Sequence, residues 1–274
     1  MRRIDALAVA GALVVAAAVV LAVAAPALAP GDPIKNALLE RLTPPTWARE
    51  HPLGTDTLGR DVASRLLHGA RVSLVVGFSA VLVAGVLGVA LGLISGWYRG
   101  WIDDVLMRLG DVQLAFPVLV LAVAVLAVLG ASLLNLIVVL GTTGWITYAR
   151  IVRGEVLTLR ERDFVAAARA LGANDGWIVR RHLLPNVLPP ITVVATFSVA
   201  RTIIAEASLS FLGLGIPAPE PSWGAMLDEG RNYITTGWWL ALFPGLAILL
   251  LVLGINLVGD WLRDVLDPRL ERGV

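Results

Sequence analysis

The feature of this sequence that most constrains its fold is a series of apolar runs, each long enough to cross a lipid bilayer. A helix of about 20 apolar residues spans the roughly 30 Å of hydrocarbon in a membrane. Because no water reaches the hydrocarbon, each run must pair its own backbone polar groups, as a helix does. The runs cover residues 6–29, 72–97, 102–130, 133–151, 188–212 and 238–261. We therefore predict an all-α integral membrane protein with six transmembrane helices.

The composition agrees with this prediction. Hydrophobic residues make up 57% of the chain and charged residues only 16%, whereas soluble domains carry roughly 25% charged residues. The chain has no cysteine, which excludes disulfides, thiolate zinc sites and iron–sulfur clusters. The first apolar run is longer than the core of about 7–15 residues in a cleaved signal peptide. We therefore predict that this run is retained as the first span.

The distribution of arginine predicts the orientation of the chain. The densest basic cluster lies after the fourth run and consists of Arg150, Arg153, Arg160, Arg162, Arg169, Arg180 and Arg181. Loops rich in arginine stay on the cytoplasmic side of a membrane, so six crossings place both termini in the cytoplasm. The predicted segments are an N-terminal transmembrane helix (1–30), an external loop (31–71), a membrane domain (72–262) and a cytoplasmic tail (263–274).

Residues 163–186 form a polar, arginine-bearing segment between the fourth and fifth runs, with the sequence DFVAAARALGANDGWIVRRHLLPN. The pattern predicts a short helix over 164–171. Gly172 follows, where a left-handed helix C-cap favours a residue without a Cβ, and we expect any Cβ there to clash. A second short helix is predicted over 176–184, and Pro185 is expected to end it. The predicted segment is a compact helix–turn–helix projection.

The spacing in this segment resembles the EAA loop of ABC importer permeases. In that family three residues, usually Glu-Ala-Ala, are followed four positions later by glycine, and the pattern ends in Leu-Pro. The matching positions are Ala167, Ala168, Gly172, Leu184 and Pro185. Two positions depart: Ala166 replaces the usual Glu, which leaves the strength of ATPase docking open, and His182 replaces the usual Ile. The resemblance implies a coupling helix that docks on a cytoplasmic ATPase; the alternative is a hairpin that only links two spans.

Further segments resemble the dipeptide, oligopeptide and nickel class of these permeases, namely residues 51–74, 103–122, 206–215 and 222–231. The resemblance implies a type I ABC importer permease core that forms half of the path for di- or oligopeptides. Nickel or another small solute is the alternative cargo. The implied partners are a second, non-identical permease, two ABC ATPases that use ATP and Mg, and an external solute-binding protein. The implied location is the cell membrane of a bacterium or archaeon.

The fifth run contains two charged residues, Arg201 and Glu206. Charges within a bilayer are costly and normally face protein or water. Five residues apart, the two side chains point in directions about 140° apart around a helix. The functional interpretation is that they line the translocation path or contact the partner subunit. The alternative is that Glu206 lies near the outer surface and accepts hydrogen bonds from local backbone groups.

Other runs carry packing signals. Gly88 and Gly92 form a GxxxG step in the second run, which allows a neighbouring helix to approach closely. Pro117 predicts a kink in the third run. Arg108 and Asp111 stand three residues apart in the same run, so a helix places them on one face as a possible ion pair.

The sequence lacks the motifs of several catalytic classes. A P-loop needs a lysine after a glycine-rich turn, and Lys35, the single lysine, has no such turn before it. No His-Glu-x-x-His or Gly-x-Ser-x-Gly motif is present. We therefore expect a non-catalytic permease that binds no cofactor and no nucleic acid, while its ATPase partners use ATP and Mg. An ion-driven secondary transporter, the remaining alternative, would need midplane ion ligands and an internal repeat.

Overall fold

The computed structural model describes residues 6–46 and 51–266, and this part of the chain is helical without strands. Beyond Leu266, the predicted cytoplasmic tail lies outside the described residues. Short 3-10 turns occupy Leu38–Glu40 and Arg231–Tyr233, and a π turn occupies Val179–Leu183. The α-helices are α1 (Ala6–Leu28), α2 (Val62–Tyr98), α3 (Gly100–Leu114), α4 (Val118–Leu129), α5 (Leu133–Leu159), α6 (Asp163–Ala170), α7 (Asp175–Ile178), α8 (Leu184–Phe211), α9 (Trp223–Gly230) and α10 (Trp239–Leu266).

The prediction of an all-α membrane fold is confirmed. Within the described residues, five helical segments are long and apolar enough to cross a membrane: α1, α2, α5, the continuous segment Asp175–Phe211, and α10. The sixth predicted span corresponds to a bent pair, α3 and α4, which meet at 88° and are long and apolar enough to cross only when taken together. Pro117 lies at this bend as the residue that precedes α4. The expected kink is therefore a nearly right-angled break.

The small residues of α2 form the packing face of the bundle. Gly88 and Gly92 are buried against α5. A Cβ added to Gly92 would lie only 2.7 Å from the Ala149 carbonyl oxygen and 2.7 Å from Val152 Cβ. Such a distance is shorter than any ordinary carbon contact, so only glycine lets the two backbones approach this closely. The GxxxG prediction is confirmed as a helix–helix contact.

Polar side chains determine two local features. Helix α2 begins at Val62, ten residues before the apolar run, because Asp61 caps it by accepting a 2.6 Å hydrogen bond from the Ser64 N–H. Asp111 pairs with Arg150 on α5 at 2.5 Å rather than with Arg108 on its own helix. The bend at Pro117 keeps α3 short, and its end lies beside α5.

A buried ion cluster fastens the loop before α2 to α9. Asp56 accepts hydrogen bonds from Arg60 Nε at 2.6 Å and from Arg65 Nη1 at 2.5 Å. Both arginines also donate to Glu229 on α9, at 3.0 Å from Arg60 and 2.5 Å from Arg65. Asp56, Arg60 and Arg65 are buried, while Glu229 is partly exposed. The two segments are therefore joined across more than 160 residues of sequence.

Candidate functional site

The projection at residues 163–186 begins with a short helix and a tight cap. Gly172 has φ +82°, a left-handed conformation that glycine adopts without penalty. Its N–H donates to the Arg169 carbonyl at 2.9 Å, and the Ala173 N–H donates to the Ala168 carbonyl at 3.0 Å. These two bonds form a Schellman motif. Asn174 then caps α7 by accepting a 2.8 Å bond from the Trp177 N–H.

The space around Gly172 corrects one expectation. A Cβ at this position meets no atom within 4 Å, so a side chain would not clash at the cap. The cost of a substitution is instead the strain of a left-handed backbone, roughly 1–2 kcal/mol for an ordinary residue. The cap therefore selects glycine through its φ angle.

Pro185 does not end a helix, contrary to expectation. The chain passes from α7 through the π turn Val179–Leu183 directly into α8, where Pro185 lies in the first turn. The Leu184 N–H bonds to the Val179 carbonyl, five residues back. This wider turn leads into the proline, whose missing N–H is tolerated in a first helical turn. One helical segment thus runs from the projection to the far end of α8.

The projection carries an exposed apolar surface. Leu171 is 88% exposed, Trp177 49% and Phe164 40%. The ring of His182 lies 5.0 Å from the Trp177 ring and 5.7 Å from the Phe164 ring, measured between centroids. The histidine that departs from the family pattern therefore packs between two aromatic side chains. We call the surface formed by Phe164, Leu171, Trp177 and His182 the projection surface.

The other face of the projection is anchored to the membrane helices. Val165 and Ala168 on α6 are buried. Trp97, buried at the end of α2, lies beneath Arg169, whose guanidinium carbon is 4.7 Å from the indole centroid. The Arg160 guanidinium lies 5.7 Å from the same centroid, and its Nη1 donates to the Trp97 carbonyl at 2.6 Å. The Arg169 contact thus links the projection to α2, and the Arg160 contacts link the end of α5 to the same indole.

The predicted loop residues are therefore close together but differ in environment. Ala168 is buried and Leu184 is half-buried, whereas Ala166, Ala167, Gly172 and Pro185 are exposed. Ala166 lies on the exposed side of α6, so a glutamate there would face away from the bundle. The role of these residues in ATPase coupling remains a prediction.

Glu206 is fully buried between helices. Its carboxylate accepts hydrogen bonds from Ser210 Oγ at 2.7 Å and from Ser73 Oγ at 3.2 Å. Ser73 belongs to α2, so these bonds join α2 to α8. The charged group that sequence reasoning assigned to a path or a subunit contact thus makes its hydrogen bonds within the bundle.

Arg201 lies in a different environment on the same helix. It lines a cavity of about 380 Å³ between α2, α4, α5 and α8. Arg201 is exposed in the single chain and forms no ion pair with any described residue. The structure therefore separates the two charged residues of α8, since one is buried in the bundle and the other faces a cavity. Within 6–46 and 51–266, no group of three or more His, Cys, Asp or Glu side chains could hold a metal ion.

Comparison with known proteins identifies related chains. A family model described as "Binding-protein-dependent transport system inner membrane component" matches residues 88–272, more than half of the chain. The dipeptide transport system permease protein DppC of Alkalihalophilus pseudofirmus is 43% identical over 265 residues, which cover 97% of this chain and 86% of that protein. The di/tripeptide transport system permease protein DppC of Pseudomonas aeruginosa is 45% identical over 251 residues, with coverages of 90% and 83%.

A further relative and a solved structure carry other names. The glutathione transport system permease protein GsiD of Pectobacterium atrosepticum is 47% identical over 221 residues, which cover 81% of this chain and 73% of that protein. A solved structure of the MetNI methionine ABC transporter in inward-facing conformations has a chain with a TM-score of 0.60. It is 21% identical and covers 74% of this chain and 96% of its own, and it shows the shared fold. The chain belongs to the family of inner membrane components of binding-protein-dependent transport systems, and it is an ABC importer permease subunit.

Proposed function

We propose that this chain is one of two non-identical permease subunits of an ATP-driven importer for di- and oligopeptides. The support for peptides as cargo is that relatives with over 40% identity across most of the chain are named for dipeptide and di/tripeptide transport. The second permease would complete the path. An external solute-binding protein would deliver the peptide.

The proposed ATPase partners are two subunits that bind ATP and Mg on the cytoplasmic side. The observation that carries this proposal is the projection surface, an exposed apolar patch at the end of a membrane helix. Monomeric proteins rarely leave large apolar side chains clustered in water unless another protein covers them. The exposed Arg180 and Arg181 beside it support a cytoplasmic position for the projection, because basic loops stay on that side of a membrane. With six crossings, both termini would lie on the same side.

The proposed mechanism follows from the continuity of the helix that begins in the projection. An ATPase that closes on ATP would shift the projection, and the Trp97 contacts would transmit the shift to α2. The Asp175–Phe211 segment would carry it through the membrane. The bundle would thus move between inward-open and outward-open states, a two-state equilibrium biased by a remote ligand. This chain contributes the path and the coupling, and its partners hydrolyse the ATP.

Leu171→Asp tests the coupling. Leu171 is 88% exposed, so the substitution leaves the packing of the chain unchanged while it places a charge in the proposed interface. We expect the variant to lose ATPase subunits during purification, and to lose peptide uptake and peptide-stimulated ATP hydrolysis. Leu39→Asp is the matched control, because Leu39 is also exposed but lies in the loop before α2.

Two outcomes would contradict the proposed docking role. Retention of ATPase subunits and of uptake in Leu171→Asp would refute the docking role of the projection surface. Loss of ATPase subunits in both variants would show a general folding defect and would also contradict the proposal. The peptide cargo is tested separately, by uptake of labelled dipeptides into proteoliposomes that contain the complete importer.

A further inference from the structure

Helix α8 has two faces of different chemistry. Val199, Ile203 and Glu206 are buried, and Ile203 lies against Gly77 of α2. The opposite face carries polar residues: Arg201 and Thr202 lie three and four positions after Ser198, and Ser208 lies seven positions after Arg201. A polar stripe in a membrane helix faces protein or a water-filled cavity rather than lipid.

The stripe forms one wall of the 380 Å³ cavity, and α5 supplies further hydroxyl groups. The polar lining residues are Thr143, Thr147, Tyr148, Ser198, Arg201, Thr202 and Ser208. Leu114, Val118 and Leu119, at the bend between α3 and α4, supply an apolar wall. The volume falls within the roughly 300–1,000 Å³ of ordinary small-molecule sites, which combine apolar walls with a few polar groups.

Arg201 presents an unpaired guanidinium to this cavity. In the described part of the chain it has neither an ion-pair partner nor a hydrogen-bond acceptor. The side chains of Thr147 and Thr202 likewise make no hydrogen bond there. A guanidinium carries five N–H donors in a planar fork that matches a carboxylate. The cavity thus presents unpaired donors around one fixed positive charge.

We propose that Arg201 and the neighbouring hydroxyl groups form a transient subsite for the α-carboxylate of the transported peptide. This inference rests on the proposed function as a peptide permease. The C-terminal carboxylate is the one anionic group that all unmodified peptides share, whatever their side chains. A subsite for it would let one path accept many sequences. The exposure of Arg201 keeps the interaction weak, as a path requires for release.

The mixed lining of the cavity is the reason to favour cargo over an acidic residue of the second permease. An acidic residue would need only the charge of Arg201, whereas the cavity combines that charge with hydroxyl groups and an apolar wall. The positive charge and the hydroxyl lining match one end of a peptide, and the apolar wall matches a side chain.

The test compares a dipeptide with its C-terminal amide, in which an uncharged –CONH₂ group of similar size replaces the carboxylate. Uptake of both is measured in proteoliposomes that contain the complete importer, at concentrations that saturate the binding protein in a separate titration. The permease variants are wild type, Arg201→Gln, Arg201→Lys and the control Arg263→Gln. Arg263 is an exposed arginine at the end of α10, so the control removes one charge away from the cavity.

We expect Arg201→Gln to lower uptake of the free acid about tenfold, the scale of a lost charge-assisted hydrogen bond. Uptake of the amide should change less than about twofold, so the preference for the acid disappears. Arg201→Lys should restore part of that preference, because lysine keeps the charge but not the fork. Arg263→Gln should behave as wild type.

Three results would overturn the inference. One is an equal fall in uptake of acid and amide in Arg201→Gln, which indicates a structural role. Another is loss of the second permease from the purified Arg201→Gln complex, which indicates a subunit contact. The third is wild-type uptake that does not distinguish acid from amide. If the wild-type importer moves neither peptide, the proposed function itself fails, a result that the wild-type measurement alone reveals.

Discussion

Replacing Asp56 with alanine will loosen the loop before α2, because the Asp56 carboxylate neutralises the positive charges of two buried arginines. Its carboxylate is 1% exposed and bonds to Arg60 at 2.6 Å and to Arg65 at 2.5 Å. Removing one partner of a buried ion pair costs roughly 3–5 kcal/mol, since a charge is left uncompensated. Glu229 still contacts both arginines, so we expect the lower end, about 3 kcal/mol.

Asp111→Ala is the matched control. Asp111 and Arg150 are also 2.5 Å apart, but their side chains are 55% and 48% exposed. Water screens such a pair, and its contribution is about 0–1 kcal/mol. Asp56 pairs with two arginines and also accepts hydrogen bonds from the Leu58 and Arg60 N–H groups. A larger effect of Asp56→Ala therefore reports the loss of this buried network.

Hydrogen exchange of the complete importer in detergent measures both effects. The Val62 and Thr55 N–H groups report on the loop, because they bond to the Gly54 and Thr43 carbonyls. A loss of about 3 kcal/mol would speed their exchange by roughly 150-fold, if exchange proceeds by local opening. Asp111→Ala should speed exchange in α3 less than about fivefold. Equal acceleration by the two variants, or none in Asp56→Ala, would refute the argument from burial.

Two further predictions concern packing and pH. Gly92→Ala should destabilise the bundle by about 1–3 kcal/mol, because its Cβ would meet α5 at 2.7 Å. Gly154→Ala, where the added Cβ meets nothing within 4 Å, should not lower the melting temperature; similar melting curves for both variants would contradict the close-approach argument. Burial lowers the pKa of His51, but hydrogen bonds to Asp61 and Glu40 and their charges outweigh it, so the pKa is raised overall. The stabilisation from His51 is therefore fully present below about pH 6.5, the ordinary pKa of histidine, and is lost as the pH rises through the raised pKa. Exchange protection of residues 51–61, corrected for the intrinsic pH effect, should fall over that interval in the wild type and not in His51→Gln; parallel profiles would exclude the histidine as the cause.

The membrane spans could be predicted from sequence because the bilayer imposes a length and a backbone requirement that few structures meet. The cap at Gly172 could be predicted because a left-handed residue at a helix end strongly favours glycine. Both inferences depend on local chemistry alone. Neither prediction required knowing which helices are in contact.

The errors arose where tertiary structure decides between local options. The three-residue spacing of Arg108 and Asp111 allowed a pair, but the neighbouring α5 offered Arg150 instead. Pro185 would end an ordinary helix, yet the preceding π turn admits it into the first turn of the next.

The polar cavity was also beyond the sequence reasoning, although part of its signal was present. The recurrence of Ser198, Thr202 and Ser208 on α8 is visible from their spacing. The residues that α5 adds, Thr143 and Thr147, become neighbours of that stripe only through helix packing. A search for polar stripes within apolar runs would have found one wall of the cavity.

The unbroken helix from Asp175 to Phe211 also determines how far a small displacement can travel. At 1.5 Å per residue, Arg201 lies about 39 Å along this rod from Asp175. If the rod tilts by about 10° around its inner end, the guanidinium sweeps about 7 Å sideways. That distance exceeds the reach of a hydrogen bond. A modest rotation at the projection end would thus be amplified by leverage into the difference between holding the proposed carboxylate and releasing it.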